Sequence, residues 1–404
     1  MTRTPPSPSR YIGLDVHKHY FVAVGLDEDH NRVLGPHKVP NQRLEAWADR
    51  HLKPTDQVVF EVTTNAYLFH DLLFEQVRSV TAVHPPNVKA VTTAKVKTDK
   101  RAAETLAKLL AAGLLDGIWI PPDDTRDLRG LIAQRDRLVR LATIAKNRLH
   151  SLLHRRRLGP PPFKRPFEPQ YREWWQALEL PKLEQVRMLS DLETLYFAQG
   201  QLEIIEEALN EIAAQDERMP LLIQIPGIGV ITGLTILAAI GEIERFEKSG
   251  DLVGYAGLGA SVHISGQKRS TGRITKAGRK DLRSAMVAAA HAAVRNHPHW
   301  KAEYERYCRR MVWQKAIVAI ARRLLIVVWQ VLHERVPDKF GDPEKIAASL
   351  FAHVYRVGVK NLPEGMSARQ FVRRSLDLLG HTELERFRWG SKWVTLPEEF
   401  RESS

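Results

Sequence analysis

The stretch Tyr11-Ile-Gly-Leu-Asp-Val-His-Lys18 reads as a short apolar strand that ends on an acid, Asp15. Working outward, Tyr20–Leu26 alternates as a second strand and Arg32–Val39 as a third. The polar segment Asp27–Asn31 joins those two as a hairpin. Gln42–Leu52 has helical spacing, and Gln57–Val62 is a fourth strand that carries Glu61 at its end. Tyr67–Val77 is helical and Ser79–Val83 a further strand. After the punctuation of Pro85 and Pro86, Lys100–Ala112 is again helical, followed by the apolar Gly117–Ile120.

Three antiparallel strands followed by alternating helices and strands predict an α/β, RNase-H-like order. In such a sheet the acids at neighbouring strand ends converge. Asp15, Glu61 and Asp99 (in Lys97-Thr-Asp-Lys) are the candidates. Carboxylates so placed hold magnesium or manganese, because hard oxygen donors suit hard cations. A paired-metal site lowers the pKa of an attacking hydroxyl and stabilises the leaving oxygen. Any one of these acids alone is more often a solvated terminus or a helix cap. Sugar kinases and actin-like ATPases share the opening strand, but they need Gly and Thr after the Asp to cradle phosphate. Here Val16, His17, Lys18 and His19 follow, which argues for a nuclease-type site. His17 and His19 flank the cluster.

The 404 residues suggest two or three domains, and 60 Lys and Arg against 47 Asp and Glu leave a formal charge of +13. That surplus favours a polyanionic partner, since neutralising phosphates releases counterions. The single cysteine, Cys308, excludes an internal disulfide and a cysteine-based zinc site, and fits a cytoplasmic protein. Met1–Arg10 has no apolar signal core. The most apolar run, Ala316–Leu332, is split by Arg322 and Arg323, and so reads as a buried or interface helix and not a membrane span.

Leu128–His154 and Leu183–Ala214 have helical spacing with a coiled-coil flavour, separated by the proline-rich Gly159–Pro169. They form an arm that either dimerises or packs as a hairpin within one monomer. Its basic residues Arg135, Arg137, Arg140, Lys146, Arg148, Arg155, Arg156 and Arg157 face nucleic acid or solvent. Trp174 and Trp175 stack on bases or, more simply, fill a core.

Leu222-Ile-Gln-Ile-Pro-Gly-Ile-Gly-Val is patterned as a helix-hairpin-helix, with Gly227 and Gly229 allowing the turn whose amides grip a phosphate. An ordinary helix–helix turn is the simpler alternative. Tyr255 to Lys280 follows. Between Lys268 and Arg283 there are seven basic residues and one acid, Asp281. Lys268, Arg269, Arg273, Lys276, Arg279 and Lys280 suit a flexible loop lying along a phosphate backbone. Ser265 precedes Gly266, and a serine attacking a phosphodiester would conserve the bond energy as a phosphoserine. Spacing alone leaves Ser261, Ser270 and Thr271 equally available.

Taken together, Gly13-Leu-Asp-Val-His-Lys, Phe60-Glu-Val-Thr, Lys97-Thr-Asp-Lys-Arg-Ala-Ala-Glu, Ile225-Pro-Gly-Ile-Gly, and Tyr255-Ala-Gly-Leu through Ser265-Gly to Thr275-Lys-Ala-Gly carry a resemblance. The chain resembles a DEDD-type transposase of the insertion-sequence-110 family, the bridge-RNA-guided recombinases, with the Piv invertases as relatives. The resemblance runs from about Tyr11 to Arg335. It implies a RuvC-like nuclease domain at 10–122, a coiled-coil arm at 123–217 and a mainly α transposase domain at 218–336. A C-terminal extension of unassigned role, 337–404, is longer than the family pattern. The resemblance further implies magnesium on four acids, mapping to Asp15, Glu61, Asp99 and position 102, and a nucleophile mapping to Ser265. It implies a structured guide RNA that pairs with donor and target DNA, and dimers and tetramers in the bacterial cytoplasm, associated with the nucleoid. One departure stands out: position 102 is Ala, not Asp. Glu104 lies on another side of the helix and is no replacement. Either an engineered substitution that disables cleavage or a naturally weakened copy accounts for Ala102. Three functions therefore compete: a serine-using recombinase, a structure-specific nuclease using water, and a binding protein without cleavage.

Overall fold

The structure, a computed structural model, describes residues 10–86, 88, 98–265 and 268–398. It divides into two units, Met1–Pro122 and Asp123–Ser404.

In the first unit the strands are β1 (Tyr11–Val16), β2 (Tyr20–Leu26), β3 (Arg32–Pro40), β4 (Gln57–Glu61) and β5 (Ser79–Val83). They form one sheet in the order β3-β2-β1-β4-β5. β1 pairs antiparallel with β2 and parallel with β4, so the sheet is mixed, as in RNase H-like folds. Helices α1 (Leu44–His51) and α2 (Ala66–Phe74) cover one face, where Phe21, Trp47, Phe60 and Phe69 are buried. Helix α3 (Asp99–Ala111) covers the other. Its Ala103 and Ala107 pack on Val22 and Val24 of β2, and its Leu106 and Leu109 on Val59 of β4. Thr98, one residue before Asp99, caps α3: its hydroxyl accepts from the Arg101 amide and so fixes the helix start at Asp99.

The second unit opens with two long helices, α4 (Asp123–Arg155) and α6 (Lys182–Gln215), with the short α5 (Arg172–Gln176) between them. Ion pairs Arg156–Glu184, Arg148–Asp191 and Arg135–Glu206 run in opposite directions along the two helices, which are therefore antiparallel. Leu138, Leu149, Leu152, Met188, Leu192 and Leu195 fill the seam. Trp175 is fully buried there and its indole donates to the Pro166 carbonyl at 2.8 Å, so it is a core residue and not a base-stacking one.

Helices α7 (Met219–Ile223), α8 (Val230–Ile240), α9 (Ser249–Tyr255), α10 (Lys280–Asn296), α11 (Pro298–Cys308) and α12 (Trp313–Glu334) share one hydrophobic core. By length and composition α12 could cross a membrane. Its residues from Ala316 to Leu332 instead bury their apolar face in this core.

One feature departs from the sequence reading, and a second goes beyond it. The segment expected as a flexible loop is a hairpin, β6 (Ala260–Ser265) paired with β7 (Lys268–Ile274). Ser, Thr, Val and Ile alternate through it, and β-branched residues favour the pleat over the coil that glycine and basic content suggest. The tail, read from sequence as short helical patterns without an assigned role, joins the core. Helices α13 (Pro343–Val357) and α14 (Ala368–Leu378) and the hairpin β8 (Arg386–Trp389)–β9 (Lys392–Thr395) put Leu350, Val354, Val372, Leu376 and Phe387 into the same core as α12.

Candidate metal centre and nucleic-acid face

The acids are gathered by the sheet and by one close helix crossing. Gly13 has no side chain, and α3 lies directly against it: a β-carbon there would stand 2.0 Å from the Ala103 carbonyl oxygen. With the helix that near, Asp99 at its first turn reaches the end of β1. Ligand atoms of Asp15, His17 and Asp99 lie within 4.8 Å of one another.

His17 Nε2 is 3.3 Å from Asp15 Oδ2 and 3.5 Å from Asp99 Oδ2. It is buried, yet its alignment makes a hydrogen bond to neither. A buried nitrogen without a hydrogen-bond partner, facing two carboxylates, fits a cation at their centre. Burial raises the pKa of Asp15 most; the Asp99 charge raises it further, and His17 opposes both. The Tyr20 hydroxyl donates to Asp99 Oδ2 at 2.9 Å, which raises the phenol's own pKa.

The turn carrying His17 is clamped from two directions. The Asn41 amide donates to the carbonyls of His17 (3.0 Å) and Lys18 (3.1 Å). The Asn65 amide donates to the same two oxygens at 3.3 and 3.2 Å. These asparagines were not legible beforehand, since they meet the turn only once β3 and α2 are in place. His17 itself was legible as a neighbour of Asp15.

Glu61 is not one of the three grouped donors. Leu14 pairs with Phe60, so Glu61 stands at the strand end beside Asp15. Val59, two residues earlier, packs under α3, and the pleat therefore turns Glu61 to the face that Asp15 occupies. Position 102 lies three residues after Asp99, on the same side of α3, where alanine supplies no donor. Glu104 is held by Arg32 at 2.6 Å and Lys108 at 2.9 Å, and its pKa is lowered chiefly by the Lys108 bond.

In the second unit, the two glycine motifs flanking the β6–β7 hairpin interlock. Gly257 (φ +67°) would clash with the Ala277 carbonyl if it bore a β-carbon, and Gly278 (φ +112°) with that of Tyr255. The Arg279 amide donates to Tyr255 O at 2.8 Å and the Thr275 amide to Gly259 O at 2.9 Å. Ser265 pairs with Lys268 at the hairpin's far end. The side chains of Ser265, Lys268 and Arg269 lie outside the described residues. Gly227 (φ +90°) lies against the Ala289 carbonyl of α10, which gives it a packing role; Gly229 begins α8 in open space.

Arg279 and Lys280 line a cleft of about 760 Å³ with Arg129, Arg137 and Arg140, floored by Thr232, Thr235 and Ala285. Arg273 and Lys276 are exposed, and Arg279 is partly engaged by Asp281 at 3.0 Å. Arg155 and Arg156 pair with Glu184 across the arm, and Arg157 is exposed.

Comparison with known proteins agrees with this arrangement. The model described as Transposase IS116/IS110/IS902 family matches residues 219–305, and the DEDD_Tnp_IS110 model, described as Transposase, matches residues 12–156; together they cover more than half of the chain. The chain is 25% identical to the transposase for insertion sequence element IS1111A of Coxiella burnetii over 340 residues, 80% of this chain and 89% of that one. It is 24% identical to a probable family 20 transposase of Pseudomonas aeruginosa, over 80% of this chain and 96% of the relative. It is 26% identical to the pilin gene-inverting protein of Moraxella bovis, over 81% and 97% respectively. With an RNase H-like sheet that gathers Asp15 and Asp99, and family matches on both units, the chain belongs to the IS110 family of transposases, enzymes of DNA recombination.

Proposed function

We propose that the chain cuts and rejoins DNA strands with Ser265 as nucleophile and a divalent cation, magnesium or manganese, held by Asp15, Glu61 and Asp99. The observation that supports it most is the meeting of Asp15 and Asp99 around the buried His17 Nε2. A cation held there supplies charge that favours the ionised hydroxyl and steadies the departing oxygen. The Ser265 oxygen forms a bond to phosphorus as one backbone ester P–O bond breaks, releasing a strand hydroxyl. A second strand's hydroxyl then attacks the phosphoserine, re-forms the ester and frees the serine. Asn41 and Asn65 hold the turn beside the acids, and Tyr20 orients Asp99. On this reading 10–122 is the metal domain, 123–217 a coiled-coil arm, and 218–336 a transposase domain whose helix-hairpin-helix and basic cleft hold DNA phosphates; 337–404 completes its core.

Guidance by a structured RNA pairing with donor and target DNA is what the family resemblance suggests, and the net charge of +13 suits a nucleic-acid partner of either kind. Dimers and tetramers suit the arm, whose α6 leaves Leu183, Phe197 and Ile204 exposed, two heptads and one heptad apart. A second reading is that this chain, with Ala102 at the fourth acid position, binds nucleic acid with little cutting of its own, and that the full activity belongs to the Ala102→Asp form. A nuclease using water is the competing reading. The two separate in one experiment on the Ala102→Asp enzyme with plasmid substrate and magnesium. A protein–DNA adduct that survives denaturation, and disappears in Ser265→Ala, supports the recombinase. Cutting that persists in Ser265→Ala overturns it.

A further inference from the structure

The turn between α11 and α12 gathers cations around an exposed indole. From Arg306 to His333 the chain has no Asp or Glu, while Arg306, Arg309, Arg310, Lys315, Arg322 and Arg323 fall within it. The nearest acid on α11 with an internal partner, Glu303, is already shared by Arg306 and Arg323. Glu305 stays exposed one turn before Arg309. Among the described residues, Arg309, Arg310 and Lys315 have no carboxylate partner. At the apex, Val312 is 60% and Trp313 55% exposed, and the indole makes no ring contact among the described residues.

The turn is not loose. The Arg310 and Met311 amides both donate to Tyr307 O, at 2.9 and 3.1 Å, and the Lys315 and Ala316 amides to Val312 O, at 2.9 and 3.1 Å. Trp300 before the turn and Ala316 after it are fully buried. An exposed indole fixed between unpaired cations satisfies neither packing nor solubility. It matches a ligand with a flat apolar face and a negatively charged strand.

We propose that Trp313 stacks on an unpaired base while Arg309, Arg310 and Lys315 hold the flanking phosphates. Stacking tolerates any base, and the cations read only the backbone. The site would therefore recognise an opened or single-stranded segment irrespective of sequence. An anionic membrane is the weaker match, because the apolar residues after Trp313 turn into the core and leave only Val312 and Trp313 to insert. The proposal rests on the reading that the chain handles nucleic acid, but requires neither the metal site nor Ser265.

The test is fluorescence polarisation of the full-length protein with a labelled single strand, its duplex, and a duplex with a central unpaired bubble. Trp313→Ala should weaken single-strand and bubble binding about ten-fold, and duplex binding less than two-fold. Trp313→Phe should retain most of the affinity. Arg309→Glu with Arg310→Glu should weaken all three and lower the salt slope by about two. An unchanged thermal midpoint confirms that the variants fold. Equal affinity of Trp313→Ala and the parent for the bubble overturns the proposal. So does a loss confined to phosphatidylglycerol vesicles. Adduct formation at Ser265 is read separately, so failure here leaves the recombinase reading standing, and the converse holds.

Discussion

A β-carbon on Gly13 would stand 2.0 Å from the carbonyl oxygen of Ala103 and 2.8 Å from the amide nitrogen of Ala107. Neither backbone atom can move without shifting α3 off the sheet, and α3 carries Asp99. Gly13→Ala should cost about 2–3 kcal/mol by overpacking, read as a lower urea midpoint for the first unit. It should also weaken magnesium or manganese binding measured by calorimetry. Gly130→Ala, on a helix where the added carbon meets nothing, should instead stabilise by about 0.5–1 kcal/mol.

The asparagine clamp predicts a different phenotype. Asn41→Ala with Asn65→Ala leaves the strands intact but frees the carbonyls of His17 and Lys18. Metal affinity should fall roughly 10-fold or more, with the circular dichroism spectrum unchanged. Normal metal affinity in the double variant would show that the turn keeps its shape without the clamp.

Position 102 yields a gain-of-function prediction. Ala102→Asp adds a carboxylate on the Asp99 side of α3 and should raise metal-dependent strand exchange at least ten-fold over the parent. Glu104→Gln should change activity little, because that side chain is occupied by Arg32 and Lys108. No gain in Ala102→Asp would count against an engineered loss of cleavage.

Stability should fall in mild acid because of His353. It is 3% exposed, neither ring nitrogen has a hydrogen-bond partner, and burial lowers its pKa to about 4. The unfolded chain binds the proton more readily than the folded one between that value and the ordinary 6.5. Stability is therefore fully present above about pH 6.5 and declines as the pH drops toward 4. The loss over that window should be on the order of 2–3 kcal/mol, followed by thermal unfolding at pH 7, 6, 5 and 4. His353→Leu should flatten this part of the profile.

Much of the first unit was legible because period-two and period-3.6 patterns are local. β2, β5 and α6 match their sequence limits closely, while α4 begins five residues before the expected Leu128, at Asp123. Asp15 and Asp99 were legible as strand-end and helix-start acids. Glu61 was read into the same cluster, but strand position sets only the face of the sheet and leaves the reach of a longer side chain open. The β6–β7 hairpin was missed because glycine and arginine content masked a β-branched alternation. The tail's short helical patterns were legible, but not its place in the core, because its apolar runs become a core only when Val354 and Phe387 meet α12's surroundings.

The interlocked glycines at the foot of β6–β7 have a mechanical outcome. Six residues of strand at about 3.3 Å each make a lever roughly 20 Å long, pinned at Gly257 and Gly278 and carrying Ser265 at its tip. Swinging that lever by ten degrees about its pin carries the tip through some three to four ångströms (about 20 Å times the angle). On the proposal that Ser265 is the nucleophile, that travel is enough to bring its hydroxyl up to a phosphorus or to withdraw it, so small adjustments at the pin would be amplified into engagement or release of the strand.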